Sequence, residues 1–268
     1  MKKGEPSRGK SLERRLRAWL EKHSSDELIA QAEALALCRD MVTLLTFVRD
    51  NNIIGTQGTG NMPLKAVREV TSHFVIPLEL ESTIGERTFQ IRSETEVWQL
   101  HFLHILAVVG MLLKTSPAKR WELTVRGKSF LEEDPLFHVS FLLTTWWHQV
   151  NWLVAYPYEG MGEALPPFFT VATLAFLRFL PVGTQVPFDE FADTLIEKTG
   201  LTWSAPKSEM APMLLRSSIA RMVIYILEDF GALKPEHREE PLGKGTTSRL
   251  VAFEITSFGQ ALLNVVAQ

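Results

Sequence analysis

The sequence predicts an α+β protein, mainly helical with small β-hairpins, in which two similar units are joined by a buried central helix. Three observations predict it. A set of short motifs occurs twice in the same order, helical periodicity dominates the segments between them, and one long stretch without charge separates the two copies.

The duplication runs through most of the chain. Leu45–Gln57 matches Leu174–Gln185 with one deletion, each ending in Gly-Thr-Gln. A proline follows each match (Pro63, Pro187) and suits the start of an amphipathic helix. Ile105–Leu112 matches Ile226–Leu233, aligning Gly110 with Gly231 as the residues that end a third helix. Glu122–Leu131 then matches Glu254–Leu263, with Leu-Thr-x-x-Gly in one copy and Ile-Thr-x-x-Gly in the other. Each copy reads helix, short strand, helix, helix, two strands, closing helix. In the first copy Thr88–Arg92 reads as an additional strand.

This order, with its Gly-plus-apolar turn and its Thr-x-x-Gly ending, resembles the winged-helix branch of the helix-turn-helix superfamily. The resemblance covers residues 35–133 and 170–268 and implies two winged-helix-like repeats whose hairpins are wings. Residues 1–34 form a basic tail and amphipathic helix, and residues 134–169 the apolar central helix and a loop. In that helix Val139, Leu142, Leu143, Trp146, Val150 and Leu153 recur at helical spacing, with Phe141, Trp147 and Trp152 off the stripe. Such a helix needs cover on more than one side, and both repeats are expected to clasp it.

Bulk properties narrow the function. With 268 residues, 46% hydrophobic and 22% charged, the chain can build a core without disulfides or metals. The single cysteine, Cys38, fits a reducing compartment. The N-terminus runs into charges rather than an apolar leader, so the expected location is cytoplasmic. Pro135 to Tyr158 lacks Asp, Glu, Lys and Arg, yet its scattered His, Ser, Thr, Gln and Asn argue for a buried helix and against a membrane partner. The net charge of −3 divides unevenly. Residues 1–22 carry eight Lys or Arg against three Glu, which leaves −8 for the rest. Any nucleic-acid contact must therefore come from local patches.

The N-terminal helix places Leu16, Trp19 and Leu20 opposite Arg14, Arg15 and Arg17. It reads as a helix docked on its own body, ahead of a DNA-contacting arm or a membrane-surface helix. Ser24 and Glu27 have capping-box spacing for the next helix.

No chemistry-bearing motif stands out, and no enzyme, cofactor or metal is expected. Gly55–Asn61 fits neither the P-loop nor the dinucleotide fingerprint and reads as an elongated turn. His101 and His104 have Val97 and Val108 as their outer four-residue neighbours, so the pair reads as structural. His138 and His148 read as hydrogen-bonded interior groups, Cys38 as a core residue, and Tyr156, Tyr158, Glu159 and Glu163 as a turn.

The third helices differ. In the second repeat Arg216, Ser217, Ala220 and Arg221 face outward, and the hairpin adds Lys244 and Arg249, a set suited to phosphate or base-edge contact with double-stranded DNA. A solvated face explains the same residues. The first repeat presents Thr95, Glu96, Gln99, Leu100 and Leu103 instead. Glu96, Leu100 and Leu103 are expected to meet protein, either the Trp-rich central helix or a second subunit. The leading reading is a DNA-binding regulatory protein whose second repeat contacts the duplex. The alternative is a protein-interaction or scaffolding module, with a protein partner or a homodimer.

Overall fold

The computed structural model describes residues 8–78, 80–84, 87–155, 165–203, 208–242 and 245–268. Helices dominate, with small antiparallel sheets, an α+β class. The chain divides into two compact units, Met1–Val150 and Asn151–Gln268. Among the described residues no helix is long and apolar enough to cross a membrane.

The first unit opens with α1 (Arg8–His23) and α2 (Asp26–Ala34). Leu16, Trp19 and Leu20 are buried, and α1 packs on the apolar helix α7 (Pro135–His148). Arg17 pairs with Glu133 and lies 4.9 Å from the Phe137 ring centroid, while Arg126 reaches Glu13 at 2.6 Å. The basic helix is thus docked on its own unit. Ser25, not Ser24, caps α2, its Oγ accepting from the Leu28 N–H at 3.3 Å; Ser24 instead donates back to Leu20 O.

Then follow α3 (Ala36–Asp50), a single bridge at Ile54, and α4 (Leu64–Thr71) behind Pro63. The additional strand expected near Thr88 is half of a hairpin, β1 (Glu81–Ile84) with β2 (Arg87–Gln90). A 3-10 turn, Glu94–Glu96, leads into α5 (Trp98–Val109). The hairpin β3 (Leu113–Thr115) with β4 (Trp121–Leu123) and α6 (Val125–Phe130) complete the pattern, and Ile54 bridges to Arg120 beside β4. Every residue from Leu136 to Trp147 of α7 is buried, and α7 packs on α1, α2, α3 and α5. The apolar helix therefore belongs to the first unit. His138 is interior as expected, stacked 4.2 Å from the Phe130 ring, but His148 is exposed.

The second unit contains α8 (Trp152–Ala155), α9 (Phe169–Arg178), β5 (Gln185–Pro187) and α10 (Phe188–Thr199) behind Pro187. Its third helix is α11 (Ala211–Ile219), a wide π turn Ala220–Tyr225, and α12 (Ile226–Asp229). The strands β6 (Leu233–Leu242) and β7 (Gly245–Ile255) form a long hairpin to which β5 adds, giving the order β5-β7-β6. The chain closes with α13 (Ser257–Val266).

The repeated Thr-x-x-Gly has one physical explanation in both units. Thr124 Oγ1 accepts from the Gly127 N–H at 3.0 Å and donates to Met111 O at 2.6 Å. Thr256 Oγ1 accepts from the Gly259 N–H at 2.8 Å and donates to Gly231 O at 2.8 Å. One hydroxyl thereby caps the closing helix and ties it to the turn after the third helix. The glycine is needed for closeness: a Cβ on Gly127 would lie 2.1 Å from Leu112 O, and one on Gly259 1.9 Å from Ala232 O.

The turn itself corrects the alignment by one residue. Gly110 has a right-handed φ of −71°; the left-handed position is Met111, φ +56°, opposite Gly231, φ +67°. Both turns make the same pair of bonds, Met111 N–H to Val108 O with Leu112 N–H to Ala107 O, and Gly231 N–H to Glu228 O with Ala232 N–H to Leu227 O. Gly110 is small for another reason, since a Cβ there would meet the Phe141 ring of α7 at 3.0 Å.

Candidate functional site

Two constellations of side chains stand on the third helices. In the first unit the leucines expected to face a partner are interior. Leu100 and Leu103 are 0% and 2% exposed, and α5 packs against α3 and α7, with Phe102 edge-on to Trp146 at 5.3 Å. Only Glu96 of that trio is exposed, and its carboxylate accepts from the Arg92 N–H at 3.0 Å. The apolar face is consumed by the unit's own core.

The same helix, with the turn before it, carries a cluster in which the two histidines read as structural are joined by Glu94. Glu94 is fully buried; its Oε1 lies 3.1 Å from His101 Nδ1 and 2.6 Å from His104 Nδ1, and its Oε2 accepts from the Met62 N–H at 2.6 Å. Burial by itself would raise this carboxyl's pKa, but the two imidazole hydrogen bonds, the charge of His104 and the Met62 N–H outweigh it and hold the pKa down to about 2. Val97 and Val108 do flank the histidines, but the acid comes from the 3-10 turn before α5, where the break at Val97 brings Glu94 back onto His101 and His104. Helical spacing puts His101 and His104 on adjacent positions of α5, but the turn that returns Glu94 to them is set by the backbone break at Val97.

Neighbouring elements brace the cluster. The His104 ring lies 4.0 Å from that of Trp121 on β4, and Trp121 Nε1–H donates to Gly60 O at 2.8 Å. The glycine-rich loop closes on itself through Thr56 N–H to Asn61 O (2.9 Å) and Gly60 N–H to Thr56 O (2.8 Å). The Gly55 N–H bonds Lys119 O, the Asn61 N–H bonds Thr59 Oγ1, and the Met62 N–H that follows the loop bonds Glu94, so its downstream end walls the Glu–His–His group.

In the second unit the predicted arginines are placed together but not alone. Arg216 on α11 forks onto Asp193 of α10 at 2.8 and 2.6 Å, with Asp189 at 3.7 Å. Asp189 also takes Arg249 of β7 at 2.6 Å, and Arg249 reaches Glu240 of β6 at 3.3 Å. The bond to Asp193 raises the Arg216 pKa above its usual value. Three carboxylates against two guanidinium groups leave this network locally negative. Ser217 is half-buried, Arg221 is exposed on the π turn, and Ala220, expected outward, is buried. Lys244 lies outside the described residues, as do Tyr156, Tyr158, Glu159 and Glu163. Asp189 and Asp193 lie one turn apart on α10, which packs on α11; their role was invisible without knowing which helices touch.

Elsewhere, Cys38 is buried in α3 and its thiol is pushed up to about 12 by burial, away from nucleophilic use. Val108, Met111, Val125 and Phe137 are among the residues that line a groove of about 830 Å³ in the first unit, as are Arg17 and Arg126, paired with Glu133 and Glu13.

No protein-family model matches the chain, and no curated protein matches it. Among solved structures, that of the restriction endonuclease FokI bound to DNA is similar over 98% of this chain and 46% of its own, at 14% identity and a TM-score of 0.32. This chain spans about half the length of that endonuclease, and a likeness so slight assigns it neither fold nor ligand.

Proposed function

We propose that the second unit contacts double-stranded DNA through its third helix and hairpin, in the manner of a winged helix, as part of a regulatory protein whose first unit serves the assembly. One observation carries this reading. Asp189 joins Arg216 of the helix to Arg249 of the hairpin, so guanidinium groups from both elements share one surface. Arg249 is also set opposite Arg238 across the hairpin. Like charges in that register are unfavourable unless something anionic answers them, and here Asp189 and Glu240 do so for Arg249, the places a phosphate would take.

The carboxylates define the test. Residues 151–268 hold nine Lys or Arg against thirteen Asp or Glu, so phosphate must replace Asp189, Asp193 and Glu240 at the arginine forks. Arg216→Glu with Arg221→Glu should abolish duplex binding at about 50 mM salt, where the phosphate contribution is strong. Asp193→Asn should strengthen binding by releasing the Arg216 fork. Three phosphate contacts would cost roughly 40-fold in affinity between about 50 and 200 mM salt. Fluorescence anisotropy with labelled duplexes measures all three, and an unmodified chain that binds no duplex at the lower salt ends this reading.

A second reading, protein association, has its own observation. Phe168, Val171, Ala175 and Phe179 follow helical spacing along α9 and are exposed, the two phenylalanines at 73% and 79%. Apolar stripes of this kind mark contact surfaces, and a second copy of the chain is the simplest occupant. Light scattering should then show a dimer that Phe168→Ser with Phe179→Ser converts to monomer; a strictly monomeric unmodified chain removes self-association.

A further inference from the structure

We propose that Glu94, His101 and His104 form a binding site for a divalent transition-metal ion, with zinc the best match. This site lies in the first unit and does not depend on the nucleic-acid reading. The candidate ligand atoms, one carboxylate oxygen and two imidazole nitrogens, all lie within 4.8 Å of one another. Two imidazoles and one carboxylate suit zinc, cobalt or ferrous iron; calcium and magnesium prefer all-oxygen shells of higher coordination number.

The distances are close to what an ion requires. Metal–ligand bonds of about 2.0–2.1 Å at a tetrahedral centre separate neighbouring ligand atoms by about 3.3 Å. Glu94 Oε1 is 3.1 Å from His101 Nδ1 and 2.6 Å from His104 Nδ1, so these two gaps widen by a few tenths of an ångström to about 0.7 Å, while the two imidazole nitrogens, within 4.8 Å of each other, are drawn to the same spacing. Small rotations of the two imidazoles supply this. In the ion-free state each Nδ1–H donates to the carboxylate; on binding, a neutral ring carries its proton on Nε2 instead, a charged ring releases its Nδ1 proton to solvent, and the Nδ1 lone pair turns to the metal.

Outer contacts favour a built site. Glu94 is anchored by the Met62 N–H, and the His104 ring is held against Trp121, itself tied to the Gly60 carbonyl. Such supporting bonds orient metal ligands and raise affinity. The carboxylate is fully buried while the two imidazoles keep 20% and 14% of their side-chain surface exposed, so an ion enters past the rings. Three protein ligands leave a fourth tetrahedral position for water, the arrangement of an open rather than a closed structural site.

A permanent hydrogen-bonded triad that never takes an ion would use the same side chains, and the two ideas part when metal is offered. The full chain, stripped with chelator, is titrated with zinc by calorimetry and with cobalt by visible absorption. The expected result is one equivalent of zinc per chain and d–d absorption of four- or five-coordinate cobalt. His101→Ala with His104→Ala should weaken zinc binding by about 100-fold or more and abolish the cobalt bands. Circular dichroism checks that this variant folds; if it does not, His101→Asn, which keeps the Glu94–His104 contact, replaces it under the same criterion. Zinc binding in the unmodified chain no tighter than in the folded variant, or cobalt that stays six-coordinate, overturns the proposal.

Discussion

The third helices of the two units end alike and are used differently. Helix α5 and the α11–α12 helix finish in the same two-bond turn, and each is tied by a threonine hydroxyl to the closing helix of its unit. Along their lengths the likeness stops. Helix α5 and the turn before it collect a buried glutamate and two histidines, with Leu100 and Leu103 sunk in the core. The second unit's helix carries a half-buried arginine answered by two aspartates, then a wide π turn bearing an exposed one. Elements that set chain direction are shared, while the side chains along the helix faces differ.

The sharpest way to break the shared part is to crowd it. Gly127→Ala and Gly259→Ala should each destabilise the chain by about 2–4 kcal/mol, since the added carbon would overlap a backbone carbonyl that has nowhere to retreat. Urea unfolding measures this, and a cost below about 1 kcal/mol in either variant would mean that the two junctions are not equally tight. A smaller effect of opposite sign tests the corrected alignment. Met111→Gly should stabilise by about 1 kcal/mol, by relieving a left-handed side chain that is half exposed, whereas Gly231→Ala should cost about the same. Were both substitutions destabilising, the two turns would not be equivalent. The smallest change is expected in the arginine network. Arg216→Gln should alter stability by no more than about 0.5 kcal/mol, because the pairs are partly exposed and screened. A larger loss would mark the network as a structural brace rather than a contact surface.

Much of the scaffold was legible along the chain. Pro63 and Pro187 start helices where the duplicated motif placed them, and Thr124 and Thr256 cap the closing helices. The stripe of Leu16, Trp19 and Leu20 foretold a docked helix, and the charge-free run after Pro135 a buried one. Two failures came at one-residue precision, where Ser25 rather than Ser24 caps α2 and Met111 rather than Gly110 takes the left-handed turn, and a larger one placed the apolar helix between the units when it belongs to the first.

Hydrogen bonds within a turn and the 3.6-residue period of a helix are short-range, so residue order alone established the element sequence, the helix starts and the apolar faces. Pairings between distant segments obey no such period. Tertiary packing brings Asp189 and Asp193 of α10 onto Arg216, and lays the loop before Met62 over Glu94. It also decided that Leu100 and Leu103 belong to the interior. Charge and burial at these sites depend on which surfaces meet across tens of residues, and that is a property of the folded chain.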